Sequence, residues 1–302
     1  MIFEGQQSVI EAIKEKKRLM DAGEAHDHIR PLLIQGGGLM RGIYGVGAAI
    51  ALEELGYTQA FSTMVGISSG APTIAHFAAG SAKQGARVAI EECASREFVN
   101  VWRFWNQVNT RHFIDVMRTD PEKGINVAKV FDNPATVGFG VARYADATPK
   151  VMYPKSDEEL FLMMHASINM QNVSSHKVFI DGVQYADGGF TRPHILGEVV
   201  ESVDATHVLI VTNNDRIFTP ISKLERFLNQ TLYRVRLNGA IVQATNARRA
   251  ERDAALEAIR KGDIPAAIVW GDGSIGGMER RAKKIAAVME SSRIWWHGLF
   301  AE

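Results

Sequence analysis

Phe61-Ser62-Thr63-Met64-Val65-Gly66-Ile67-Ser68-Ser69-Gly70 is the stretch whose reading decides the fold. Its apolar run, 61–65, has the length and composition of a buried strand. Gly66-Ile67-Ser68-Ser69-Gly70 follows as G-x-S-x-G, and a helix-compatible segment runs over 69–79 until Gly80 stops it. Strand, sharp turn and helix in that order predict a nucleophile elbow. The turn forces the serine backbone into a strained conformation and projects its hydroxyl above the sheet edge. Gly66 and Gly70 leave the room this needs, because a Cβ at either position would strike the neighbouring strand or helix. Ser68 is therefore the candidate nucleophile. The pentapeptide alone would suit a plain turn; the strand before it and the helix after it favour the elbow.

Upstream, the apolar run 31–35 leads into Gly36-Gly37-Gly38-Leu39-Met40-Arg41-Gly42, then into an Ala-rich helical pattern over 43–55 that ends at Gly56. A glycine loop at a helix N-terminus presents N–H groups with no intrahelical partner, and the helix dipole adds positive potential there. Such a loop suits a bound phosphate or a transient oxyanion. G-x-x-x-x-G-K-[ST] is absent, and Arg41 stands where the third glycine of G-x-G-x-x-G would fall, so nucleotide binding is disfavoured. Beside a serine turn on the next strand, the oxyanion role is preferred over a purely structural turn. Arg41 suits a substrate phosphate, but pinning the loop through nearby carbonyls or carboxylates is ranked first.

Downstream, 176–180, Asp181-Gly182 and 183–186 predict a β-hairpin with a two-residue turn, followed by Asp187-Gly188-Gly189. Turn chemistry explains Asp181, since Asp-Gly suits a type I′ turn. Asp187 follows the returning strand and is the candidate functional carboxylate. His194 and His207 come after it, in the Ser, Asp, His order of α/β-hydrolases. His207, however, begins an apolar strand, and His194 lies beside a proline in a loop. His76 and His165 sit on Ala- and Met-rich helices, as core or pocket lining. A Ser-Asp dyad is preferred to a triad.

In order and spacing, GGGLMRG, GISSG and YADGGF resemble the patatin-like phospholipase family, and His165 to Met170 (HASINM) is similar to the Ala-Ser segment that the family carries before its D-G-[GA] motif. The resemblance covers roughly residues 31 to 212. It implies acyl-ester hydrolysis by a Ser-Asp dyad on an α/β sheet. Ser68 is then the nucleophile, Asp187 its partner, and the loop at Gly37, Gly38 and Leu39 the oxyanion hole. Gly36, Arg41, Gly42, Gly66, Gly70, Gly188 and Gly189 support these motifs. Leu39 departs from the family pattern by replacing the third glycine when the loop is aligned from Arg41. Arg192-Pro193 and Met170 stand where the family often has Asn-Pro and proline; both changes fall on the pocket wall.

The chain has 302 residues, 46% hydrophobic and 23% charged, enough for a packed core. A single α/β domain over 1–302 is expected, with a mainly parallel sheet flanked by helices and with 213–302 completing or capping it. Lys+Arg and Asp+Glu are both 34, so no global field draws nucleic acid. Cys93 is the single cysteine, which excludes an internal disulfide and a cysteine-cluster metal site. The start lacks the pattern of a signal peptide and no run reaches 18 uncharged apolar residues. A cytoplasmic location is expected, with possible peripheral membrane contact. Helices are expected near 7–20, before the first strand, over 91–109 with Phe98, Trp102 and Trp105 in the core, after the capping box at Ser156, and over 221–261 and 277–291. Strands are expected within 132–152 and at 207–212 and 266–270.

The chemistry expected is lipid or other carboxylic-ester hydrolysis without metal or organic cofactor. Acyl transfer or thioester cleavage would use the same dyad. A protein that only binds lipid would keep the fold without turnover, which the intact Ser68 and Asp187 argue against. Arg280, Arg281, Lys283 and Lys284, followed by Trp295, Trp296, Leu299 and Phe300, have the composition of an interfacial anchor. Docking of these aromatics on the domain is ranked ahead of membrane contact.

Overall fold

The computed structural model describes residues 1–93, 95–100, 102–103, 106–216 and 237–301. In chain order its elements are β1 (Ile2–Gly5), α1 (Ser8–Asp21), β2 (Pro31–Gln35), α2 (Ile43–Glu54), β3 (Thr63–Ile67), α3 (Gly70–Ala78), α4 (Ala82–Arg87), α5 (Thr110–Thr119) and α6 (Val127–Asp132). Then come β4 (Thr136–Arg143), β5 (Pro149–Met152), α7 (Asp157–Ile168), β6 (Val178–Ile180), β7 (Val183–Asp187), α8 (Ile195–Glu201) and β8 (His207–Asp215). The last three are α9 (Gly239–Lys261), β9 (Ala266–Gly271) and α10 (Ala282–Ala301).

β2 and β3 are buried along their whole length, as strands covered on both faces must be. Their side chains alternate between two cores. Leu33, Met64, Phe139, Leu209 and Val269 face the larger one, with α1, α2, α3 and α10. Leu32, Ile34, Val65, Ile210 and Ile268 face the smaller one, with α8 and α9.

The sheet order is β1-β9-β8-β2-β3-β4-β7-β6, with β5 pairing on β4. β9, β8, β2, β3 and β4 run parallel, whereas β1, β5, β7 and β6 join antiparallel. The parallel centre fits the expected α/β class; of the antiparallel pairs, β4–β5 and β6–β7 are hairpins, which need no crossover helix, whereas β1 on β9 and β7 on β4 join strands distant in sequence. The chain leaves β2 towards β3 and β4 on one side and returns through β8 and β9 on the other. This reversal leaves a crevice beyond the carboxyl ends of β2, β3 and β8, where open α/β sheets hold ligands.

Several elements differ from expectation. β1 precedes the first helix, its register running from Ile2 opposite Trp270 to Gly5 opposite Ala267. Residues 91–109 do not form one helix: a π turn ends at Glu92, Val99 bridges to Val108, and Trp102 is exposed. The aromatic spacing there matched a helix, but Phe98 and Val99 serve as wall residues of a pocket; Trp105 lies outside the described residues. Of the helix expected over 221–261, Gly239–Lys261 is seen and 221–236 lies outside the described residues. The last helix starts at Ala282, leaving Arg280 and Arg281 in the preceding loop. It runs through the aromatic tail, where Trp296 and Phe300 are buried against the core and Phe300 meets the Tyr57 ring edge-on at 4.9 Å. Both rings are occupied within the fold. No helix among the described residues is long and apolar enough to cross a membrane.

Candidate active site

Ser68 sits between β3 and α3 with φ 55°, a left-handed conformation uncommon for a residue with a Cβ. Its neighbours make the turn possible: a Cβ at Gly70 would lie 2.0 Å from the Gln35 carbonyl oxygen. The Ser68 N–H donates to Ser167 Oγ at 3.0 Å, and Ser167 Oγ in turn donates to the Gly140 carbonyl at 2.7 Å. The turn is thereby tied to α7 and β4.

Ser68 Oγ donates to Asp187 Oδ2 at 2.6 Å. Asp187 ends β7, opposite Val141 of β4, and its Oδ1 accepts the Gly189 N–H at 2.7 Å. The carboxylate is 3% exposed. Burial pushes its pKa up from 3.8 to about 6, opposed by the bonds from Ser68 and Gly189 and by the Arg248 charge. Burial outweighs these opposing contacts, so Asp187 becomes a better base than a free aspartate while remaining mostly ionised at neutral pH.

The glycine loop packs directly on the serine. A Cβ at Gly37 would lie 2.6 Å from Ser68 Cβ, so only glycine fits there. Leu39 has φ 54°, adopting the left-handed conformation that a glycine in its place would take freely. The N–H groups of Gly37, Gly38 and Leu39 donate to no acceptor among the described residues. The loop is held through its carbonyls instead. Asn213 Nδ2 donates to Gly36 O at 2.6 Å, Asn214 Nδ2 to Gly37 O at 3.5 Å, and Arg41 Nε to Gly38 O at 3.3 Å. Gln35 Nε2 donates to Asn213 Oδ1 at 3.2 Å.

Asp181 is remote from this cluster: it is exposed, with φ 50° before Gly182 at φ 75°, as a type I′ turn requires. None of the four histidines singled out is hydrogen-bonded to Ser68 or Asp187. His194 Nδ1 accepts the Leu196 N–H and caps α8; His207 Nδ1 pairs with Thr206 Oγ1 at 2.9 Å. His76 pairs with Ser81 and His165 with Thr110. Asn213, Asn214 and Gln35 had no role in the sequence analysis, and Ser167 entered it only within the Ala-Ser segment His165 to Met170. The Asn-Asn pair just past the apolar run 207–212 was the available signal, since strand carboxyl ends carry sites in this architecture.

An apolar slot of about 100 Å³ opens at Ser68 and runs between α2, α3, α4 and α5. Val46, Pro72, Val88, Cys93, Phe113 and Met117 are among its walls. Burial pushes the Cys93 thiol up to about 12, and it behaves as an apolar wall residue.

A family model described as patatin-like phospholipase matches residues 32–200, more than half of the chain. The crystal structure of VipD from Legionella pneumophila superposes with a TM-score of 0.50 at 12% sequence identity, covering 90% of this chain and 67% of that one. At that identity the likeness is one of fold. No curated protein sequence matches the chain.

Proposed function

The chain belongs to the patatin-like phospholipase family, and from this premise we propose that it is a serine acyl hydrolase cleaving lipid carboxylic esters through a Ser68–Asp187 dyad. The observation that carries this reading is the 2.6 Å bond from Ser68 Oγ to a buried carboxylate. Asp187 takes the hydroxyl proton as Ser68 Oγ attacks the ester carbonyl carbon. The tetrahedral oxyanion is received by the unpaired N–H groups of Gly37, Gly38 and Leu39, each donor worth roughly 3 kcal/mol in such sites. Asp187 then protonates the departing alcohol. Water repeats the attack on the acyl-enzyme, with Asp187 again as base, and restores Ser68. The apolar slot receives the acyl chain. The left-handed Ser68 between strand and helix supports reading the turn as a nucleophile elbow.

The test is hydrolysis of p-nitrophenyl esters of graded chain length by the native protein, Ser68→Ala, Asp187→Asn and the double variant. Each single variant loses nearly all turnover, and the double is little worse, because the two act as one unit. An Asp187→Asn enzyme keeping a tenth or more of the rate, a loss of about 1.4 kcal/mol or less, rejects the dyad. Labelling by a fluorophosphonate separates an activated serine from a protein that only binds lipid.

A further inference from the structure

Arg280 stands in the loop between β9 and α10, and the same slot that opens on Ser68 is lined by Arg280, Gly277 and Leu39. That loop is fastened to the glycine loop: the Met40 N–H donates to Gly277 O at 3.2 Å. The neighbouring Glu279, Arg281 and Lys284 are engaged with one another. Arg281 Nη2 and Lys284 Nζ lie 2.6 and 3.4 Å from Glu279 Oε2. Glu279 Oε1 accepts the backbone N–H groups of Arg280 and Arg281. These contacts, the Arg281 side chain foremost, hold the Glu279 carboxyl well below the usual carboxylate range. It has no capacity left for the Arg280 side chain. The Arg280 Nε is buried with no hydrogen-bond partner, and its guanidinium forms no ion pair among the described residues.

A buried donor on a charged group without a partner is costly, and native structures rarely leave one unless a ligand or water completes it. The planar guanidinium fork matches the oxygens of a phosphate, and gains most where water is excluded. The set of groups in the slot also fits. Ser68, apolar side chains such as Val46, Phe113 and Met117, and Arg280 all line this one slot, and Met278, which also lines it, is 55% exposed. A phospholipid carries a partner for each: an acyl tail for the apolar walls, an ester for Ser68 and a phosphate for Arg280. Glu279 does not repel such an anion, because Arg281 and Lys284 neutralise it.

We propose that Arg280 binds the phosphate of the substrate's head group and makes the enzyme prefer phosphate-bearing acyl esters to neutral ones. This inference rests on the acyl-hydrolase reading of Ser68. It names the leaving-group side of that site, which the dyad and oxyanion loop leave unspecified.

The test compares lysophosphatidic acid with monoacylglycerol carrying the same myristoyl chain, both in detergent micelles. The ratio of their kcat/KM values is measured for the native enzyme, Arg280→Gln and Arg280→Lys. The native ratio favours the phosphate ester. Arg280→Gln lowers it roughly tenfold to a hundredfold, the usual worth of a charge-assisted contact, and Arg280→Lys retains part of the preference. An unchanged ratio in Arg280→Gln overturns the assignment, as does a native ratio near one. A second measurement is independent of turnover. Ether-linked lysophosphatidic acid is titrated calorimetrically into Ser68→Ala protein with and without Arg280→Gln. Weaker binding in the double variant by a similar factor supports the phosphate contact even if no ester is hydrolysed, in which case the hydrolase reading alone falls. Glycerol phosphate, which has no tail, is the soluble control; binding as tight as the lipid's overturns a lipid head-group site in favour of a free phosphate site.

Discussion

Asp187 is held in the fold against its own preference. Its pKa is raised from 3.8 to about 6 by burial, so ionising it costs more in the native state than in the unfolded chain. Its contribution to stability is therefore full below about pH 4 and is lost as the pH rises through about 6. In the proposed dyad, activity runs the other way, because the base must be ionised. A profile of log kcat/KM against pH should climb and level off above an apparent pKa near 6, and a plateau reached already at pH 4 would mean that Asp187 is not the titrating base. Asp187→Asn removes the ionisation cost while keeping an oxygen for Ser68, so it should raise Tm at about pH 8 but not at about pH 4. Ser167 is a second residue-scale case. Its hydroxyl satisfies the buried Ser68 N–H and is itself fully buried. Ser167→Ala leaves that donor unpaired and should cost about 1–3 kcal/mol of stability. Denaturant unfolding of the variant measures it; a loss under a few tenths of a kcal/mol would show the bond to be expendable.

At the scale of elements, the sequence reveals most where local chemistry dictates the outcome. Gly66, Gly70 and the apolar run 61–65 announce strand, turn and helix because glycine there answers a backbone contact. Asp181-Gly182 announces a hairpin because both residues need positive φ. Asp181→Asn should accordingly keep both stability and ester hydrolysis, since Asn-Gly makes the same turn; a folded but inactive variant would mean the wrong carboxylate was chosen. What stayed hidden depends on distant partners. Asn213 bonds Gly36 across 177 residues, and no local pattern announces that. β1 has four residues, one of them Glu4, and is a strand because β9 offers it an edge. The stretch 91–109 imitates a helix in its aromatic spacing, yet Phe98 and Val99 turn towards the slot. Burial against a ligand chamber and burial in a core look alike in sequence.

At the scale of the whole molecule, α10 closes the larger core and bears indirectly on the site. It lies so close to α2 that a Cβ on Gly47 would come within 2.5 Å of the Met289 carbonyl oxygen. Ser292 Oγ donates to the Tyr44 carbonyl at 2.7 Å, fastening the two helices. α2 is also the helix that the glycine loop leads into, so the placement of α10 constrains where the N–H groups beside Ser68 can sit. Trp296 is fully buried and stacks on Phe300 with centroids 5.9 Å apart, whereas Ile294 on the same helix is 60% exposed. Composition alone made the tail resemble a membrane anchor; packing has already used its central rings. Trp296→Ala should then cost roughly 3–5 kcal/mol, as large-to-small changes in cores do. In a chain of 302 residues that corresponds to a fall in Tm of about 5–8 °C. Ile294→Ser should change Tm by no more than a degree or two, roughly 0.5 kcal/mol. Thermal unfolding of both variants by circular dichroism decides the point. If Trp296→Ala melted with the native protein and instead lost binding to anionic vesicles, the ring would belong to the membrane and not to the core.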